Sequence, residues 1–276
     1  MITTITARTA GLVACVLLAA FCVLPFFWIL STSLKPDDAI FSITPQWIPT
    51  HPTLGHFQQL LNGTPFARYF LNSMIVSTVT AFWSVLVGIC SAYAFSRYRF
   101  VGHGFWFRIV LSLQIFPYVV LVIPLYVLLY RLHLIDSYWG LIIAYATFSL
   151  PFAVYMLKGY LDSVPRELDE AAQIDGCSTF VALVRVVLPA AMPGVIATFL
   201  FGFVTAWNEY LFALTFITST DMRTLPLGLA LFFGEFTTQW GLIMAAAVTT
   251  SLPVVLIFLF LQRYLVAGWT AGATKG

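Results

Sequence analysis

Charge is scarce in this sequence. Of 276 residues only 9% are Asp, Glu, Lys or Arg, against 61% hydrophobic. Soluble domains carry about 25% charged residues, so the composition excludes an ordinary soluble fold and points to a protein whose main partner is the lipid bilayer. A net charge of +2, with no run of Lys or Arg, leaves no surface for a nucleic acid. Lysine is rarer still: Lys35, Lys158 and Lys275 are all there is, and none is followed by Ser or Thr. The chain therefore lacks the G-x-x-x-x-G-K-[ST] loop that cradles phosphates. Cys15, Cys22, Cys90 and Cys177 show neither metal-ligand spacing nor a disulfide framework and read as small packing residues. His51, His56, His103 and His133 fall between the apolar runs and read as solvated loop residues. His51 and His56 make too weak a pair for a metal site, and no metal is expected.

Apolar length is what the chain has in abundance. About 20 apolar residues carry a helix across a bilayer. Gaps between charged residues place spans at approximately 10–33, 69–95, 109–130, 138–157, 187–208 and 240–261, in one domain covering 1–276. These runs are continuously apolar, unlike the alternating strands of a barrel, and a helix bonds its own backbone in lipid. The fold class predicted is all-α, with six transmembrane helices. The first run has 26 uncharged positions from Thr9 to Leu34, longer than the roughly 7–15 of a signal-peptide core, so it is read as a retained span. Six spans put both termini on one side. That side carries Arg8, Arg97, Arg99, Arg108, Lys158, Arg166, Arg185, Arg263 and Lys275, and the other only Lys35, Arg68, Arg131 and Arg223. The positive-inside rule then places both termini in the cytoplasm. Pro117, Pro124, Pro151 and Pro253 lie within spans as candidate kinks. Residues 210–234 are oily for a connection and read as a re-entrant or interfacial excursion.

One cytoplasmic loop, 159–186, breaks the apolar pattern. With its flanks it holds five of the eleven acidic residues: Asp162, Glu167, Asp169, Glu170 and Asp175. Pro165 followed by acids marks a helix start, and Gly176 suits its end. A short helix outside the membrane results. Ala171 and Ala172 are small enough for another surface to approach closely, and Glu170 can offer a charged hydrogen bond to an Arg or Lys. Spacing alone leaves two readings open: a docking surface for a soluble partner, or an interfacial helix that only joins two spans.

Glu170-Ala171-Ala172, three residues, Gly176, nine residues and Val186-Val187-Leu188-Pro189 resembles the EAA motif of ABC-importer membrane subunits, with Val186 in place of the usual Ile. The final Gly268-Trp269-Thr270-Ala271-Gly272-Ala273-Thr274-Lys275-Gly276 resembles the tail of maltose-permease G-type subunits, Trp269 and Thr274 departing from it. Trp207-Asn208-Glu209, Ile123-Pro124-Leu125-Tyr126 and Asp136-Ser137-Tyr138-Trp139-Gly140-Leu141 are also similar to that carbohydrate-uptake family. The resemblance implies six transmembrane helices of the type I ABC importer permease kind with a cytoplasmic coupling helix. Glu170, Ala171, Ala172, Gly176 and Pro189 would couple to an ATPase, and Thr270, Gly272, Lys275 and Gly276 would contact it from the C-terminal tail 264–276. It implies a multi-pass subunit of the bacterial cytoplasmic (inner) membrane. The implied partners are a second homologous permease, two ABC ATPase subunits and an extracytoplasmic solute-binding protein. ATP and Mg²⁺ would sit on the ATPases, with no cofactor on this chain and no bond chemistry in it.

Polar side chains inside a membrane usually face the bundle interior or a wet cavity. Sugars offer apolar faces and many hydroxyls, which suits aromatic rings beside amides and carboxylates. Trp207, Asn208 and Glu209 are the first candidates for a solute pathway, with Gln114, Tyr118 and Asn72 second. The competing reading makes the amides glue between helices. Maltose or trehalose is the expected class of solute, although related subunits also serve other sugars and glycerol 3-phosphate. An ion-coupled transporter predicts inverted repeats and ionisable residues at the midplane, and neither is found. A membrane enzyme predicts a clustered His, Asp or Cys site, also not found.

Overall fold

The computed structural model describes residues 2–230, 232 and 239–273. In chain order the helices are α1 Ile2–Ser33, α2 Asp37–Ile40, α3 Gly55–Asn62, α4 Phe66–Arg97, α5 His103–Ser112, α6 Tyr118–Arg131 and α7 Tyr138–Ser163. After them come α8 Glu167–Ile174, α9 Thr179–Ala182, α10 Leu188–Ala190, α11 Met192–Trp207, α12 Leu211–Phe216, α13 Leu225–Ala230 and α14 Trp240–Ala273. No strand occurs among the described residues.

Four stretches, Gly11–Ser33, Phe66–Arg97, Tyr138–Ser163 and Trp240–Arg263, are long and apolar enough to cross a membrane as single helices. The predicted spans 109–130 and 187–208 are not single helices. His103–Ile115 and Tyr118–Arg131 meet at 101°, and Thr179–Ala190 and Met192–Trp207 at 82°. Proline causes both breaks. Pro117 forces the residue before it out of the helical region, and Phe116 has φ −73° and ψ 127°. Pro193 has no N–H to bond the carbonyl of Pro189 one turn earlier, and Ala191 between the two halves has ψ 7°. Pro124, Pro151 and Pro253 stay inside continuous helices.

The chain divides into two compact units. The first comprises Met1–Ala67 and Leu229–Leu252. Here the segment after α1 folds back on the helix end. Lys35 is buried with its ammonium 3.9 Å from the Trp28 ring centre. His56 bonds the Lys35 carbonyl at 2.8 Å, satisfying a backbone acceptor just past the end of α1. His56 is therefore buried, not solvated, and a Cβ on Gly241 would come within 2.2 Å of its ring. His103 likewise bonds the Phe95 carbonyl at 2.8 Å, whereas His51 and His133 are exposed.

The second unit comprises Arg68–Gly228 and Pro253–Gly276. Small residues let its helices touch, as membrane packing requires. A Cβ on Gly194 of α11 would lie 2.2 Å from the Tyr160 ring of α7. Phe152 of α7 stacks on Phe201 of α11 at 3.7 Å between ring centres. At the end opposite the charged loop, Asp136 closes a clasp. Its Oδ1 accepts the backbone N–H groups of Thr218 and Ser219, both at 3.0 Å, and its Oδ2 accepts the Ser219 hydroxyl. Burial pushes this carboxyl up, but the bonds from Ser219 and Thr218 outweigh it and hold it below the usual aspartate value. A depressed folded pKa gives stability that is complete above the unfolded value of about 3.9 and is lost as pH falls through the folded one. The melting temperature of the purified protein is accordingly expected to fall more steeply below pH 4 for wild type than for Asp136→Asn. Parallel curves would show that the clasp carries no pH-linked stability.

Candidate functional site

The charged loop forms two faces with different tasks. α8 begins two residues after Pro165, with Glu167, Asp169 and Glu170 in its first turn, where the helix dipole favours acids. It ends in a Schellman turn: the Cys177 N–H reaches the Ala172 carbonyl at 3.0 Å and the Gly176 N–H the Gln173 carbonyl at 3.0 Å. Gly176 takes φ +86°, a conformation open to glycine without strain.

The inner face is held by an ion pair. Arg97, at the end of α4, meets Asp169 at 2.8 Å, and the two side chains are only 7% and 8% exposed. The rest of the guanidinium is satisfied too, donating to the carbonyls of Leu161 and Val164 at 3.0 Å each. The Tyr93 hydroxyl donates to the other Asp169 oxygen at 2.7 Å. Arg166 donates to the Ser96 carbonyl at 2.8 Å, and the Ser96 hydroxyl to Asp162 at 2.7 Å. Ala172 is buried on this same side.

The outer face is left to solvent. Glu167, Glu170, Ala171 and Ile174 fall at i, i+3, i+4 and i+7, one stripe of the helix, and all four are exposed. Ile174 is 86% exposed and Phe180, at the start of the next turn, 69%. Large apolar side chains held out beside carboxylates, on a segment locked in place from behind, are the pattern of an interaction surface. The segment then passes through a π turn at Leu183–Val187, whose Val187 is buried, to exposed Pro189 and the 82° bend into α11.

The sequence names both Ala171 and Ala172 for this surface; Ala171 is exposed on it, and the helix turns Ala172 inward with Asp169. Tyr93, Arg97 and Asp169 form a contact behind this surface that the sequence did not reveal, since Arg97 and Asp169 stand 72 positions apart. Ile174 was visible in principle as the apolar residue at i+7 from Glu167. Of the tail residues, Thr270 and Gly272 lie in α14. Lys275 and Gly276 lie outside the described residues.

The six pathway candidates do not gather in one place. Asn72 is buried and its side chain fully used: it donates to the carbonyls of Asp221 and Arg223 at 2.8 Å and accepts the Tyr138 hydroxyl at 2.7 Å. Trp207, 1% exposed, stacks on Phe203 at 5.5 Å and meets the Phe70 edge at 5.5 Å. Both are held in contacts between helices. Asn208 is exposed and donates to its own helix at Val204. Gln114 is exposed at the 101° bend. Glu209 and Tyr118 do come together, lining one cavity of about 160 Å³ with Phe148 and Phe212. The Glu209 carboxylate also accepts the Phe212 and Ala213 N–H groups at 2.8 and 3.2 Å, capping α12.

A family model described as "Binding-protein-dependent transport system inner membrane component" matches residues 84–270. An inner membrane ABC transporter permease protein of Escherichia coli is 40% identical over 254 residues, covering 91% of each chain. A trehalose/maltose transport system permease protein of Thermococcus litoralis is 35% identical over 272 residues, covering 98% of this chain and 97% of its own. Among solved structures, a bacterial ABC transporter involved in import of the acidic polysaccharide alginate superimposes with a TM-score of 0.80 at 21% identity, covering 94% of this chain and 97% of that one.

Proposed function

The chain belongs to the family of binding-protein-dependent transport system inner membrane components, and on that premise we propose that it is the membrane-spanning subunit of an ATP-driven importer for a neutral di- or oligosaccharide of the maltose or trehalose class. The observation that carries the reading is the α8 surface. A segment pinned by a buried ion pair and presenting Glu170, Ala171 and Ile174 outward is built to receive force from a soluble partner. That partner is a pair of ABC ATPase subunits, which bind ATP and Mg²⁺; this chain binds neither. A second, similar permease completes the pathway, and an extracytoplasmic binding protein delivers the sugar. Both termini lie in the cytoplasm, on the side of the α8 segment. Closure of the ATPases moves α8. The Arg97–Asp169 pair passes that displacement to α4 and the bend at Ala191 passes it to α11, so the bundle alternates between outward and inward access. The names of the sugar-importing relatives support the choice of solute.

The reading is tested by purifying the chain with the ATPase and binding protein encoded beside it. Binding protein loaded with maltose or trehalose is expected to stimulate ATP hydrolysis by the reconstituted complex. Stimulation by a non-sugar solute alone would overturn the carbohydrate assignment.

A further inference from the structure

A second cavity, of about 310 Å³, lies within the first unit, between the segment after α1, α3 and the start of α14. Polar and apolar groups share its walls about equally, whereas the cavity beside Tyr118 is walled almost wholly by apolar atoms. Asp37, Phe41, His56, Gln59, Gln239 and Trp240 line it. His56 fixes the three segments: its ring bonds the Lys35 carbonyl and packs against Gly241. Gln59 follows His56 by three residues on α3 and donates to the side-chain carbonyl of Gln239, 180 positions away. That bond is long, 3.4 Å against about 2.7–3.2 Å for an ordinary N–H···O contact. It occupies one donor and one acceptor, and leaves the Gln59 carbonyl oxygen and the Gln239 amide N–H groups without a partner among the described residues. The Asp37 side chain is 90% exposed, and His56 Nε2, at 3.8 Å, lies beyond hydrogen-bond reach of it.

These unused groups define a guest. Amides both donate and accept, and a carboxylate accepts, so the wall matches a molecule rich in hydroxyls, each of which does both. The exposed rings of Phe41 and Trp240 supply apolar faces beside them. No Lys or Arg lines the cavity, so an anionic guest would meet Asp37 without a compensating cation. The volume falls at the lower end of small-molecule sites, about 300–1,000 Å³, and suits one sugar ring. In the orientation proposed above, the end of α1 and the start of α14 lie outside the cytoplasm, where a binding protein gives up its sugar. We propose that this cavity holds one neutral sugar ring on the outer side of the membrane as the binding protein releases it. Gln59 and Gln239 exchange hydrogen bonds with the hydroxyls, Asp37 accepts another, and Trp240 covers the sugar's apolar face. The inference rests on the sugar-importer reading and adds that this subunit itself touches the solute.

The test uses the complete importer in nanodiscs, without binding protein, and follows maltose and trehalose binding by saturation-transfer NMR. Gln59→Leu and Gln239→Leu each remove one amide and keep its size. The wild-type complex is expected to bind at least one of the two sugars. Each variant should bind that sugar about 2- to 10-fold more weakly, the loss of one hydrogen bond between uncharged groups. Both glutamines are exposed, so the melting temperature should stay level. Unchanged affinity in both variants, or no binding to the wild type, overturns the inference. The importer reading survives either result if sugar-loaded binding protein still stimulates ATP hydrolysis. Weaker binding accompanied by a lowered melting temperature also overturns the inference, in favour of a structural role. Variants that bind free sugar normally but hold the binding protein less tightly overturn it too, and make the cavity a protein contact. Maltobionate, the acidic counterpart of maltose, bound more tightly than maltose overturns the neutral-sugar assignment. Failure of sugar-loaded binding protein to stimulate ATP hydrolysis overturns the importer reading and the inference with it.

Discussion

Glu170→Lys is expected to abolish sugar uptake while the subunit still inserts and folds. Glu170 is exposed, and its side chain makes no hydrogen bond or ion pair among the described residues, so reversing its charge leaves the fold alone. Its neighbour on the exposed stripe, Glu167, adds a second negative charge to this surface, to which a docking partner answers with Arg or Lys. Truncating one member of a buried, hydrogen-bonded charge pair at an interface costs about 2–5 kcal/mol, and placing like charges together costs more. Uptake should therefore fall on the order of 100-fold or more. Vesicle uptake and the melting temperature of the purified subunit check it together: uptake at the wild-type rate would remove Glu170 from the coupling surface. A melting temperature lowered to match the loss would make the residue structural.

Arg97→Ala is expected to fail for the opposite reason, from inside the protein. The guanidinium joins α4 to Asp169 of α8 and to the ends of α7 at Leu161 and Val164, in a place where neither charge reaches water. Removing one partner of a buried pair typically costs 3–5 kcal/mol, because the other charge is stranded. Tyr93 alone remains to satisfy Asp169, and a neutral hydroxyl does not balance a carboxylate. The expected phenotype is a loosened α8 that proteases cut between 165 and 190, a lower melting temperature, and loss of uptake even with Glu170 intact. Combining Arg97→Ala with Asp169→Ala should recover part of the stability, since no buried charge is then unpaired. Uptake should stay low, because nothing joins α8 to α4. Arg97→Ala with wild-type protease resistance would show that the ion pair does not hold the segment.

These two residues mark the limit of what could be read before the fold was known. Glu170 was legible because its neighbours in sequence carry a spaced motif and its charge stands out from an apolar background. Arg97 was legible only as one more cytoplasmic cation in the orientation count. Nothing near it in sequence hints at Asp169. The pathway candidates divide in the same way. Asn72 and Trp207 were singled out because polar and large aromatic groups in a membrane are conspicuous, yet Asn72 bonds three groups distant in sequence and Trp207 fills a space between Phe70 and Phe203.

The sequence by itself determined the membrane class, the apolar runs, the charged loop and the motif within it. Each depends on composition or spacing along the chain, and a bilayer reads hydrophobic length locally. Only the tertiary structure decided that two of the runs are bent pairs, that Ala172 faces inward while Ala171 does not, and that Glu209 and Tyr118 line one cavity. Those outcomes depend on which helix faces meet. Side-chain contact, hydrogen-bond satisfaction and burial of charge are settled between residues tens of positions apart, after the chain has folded back on itself.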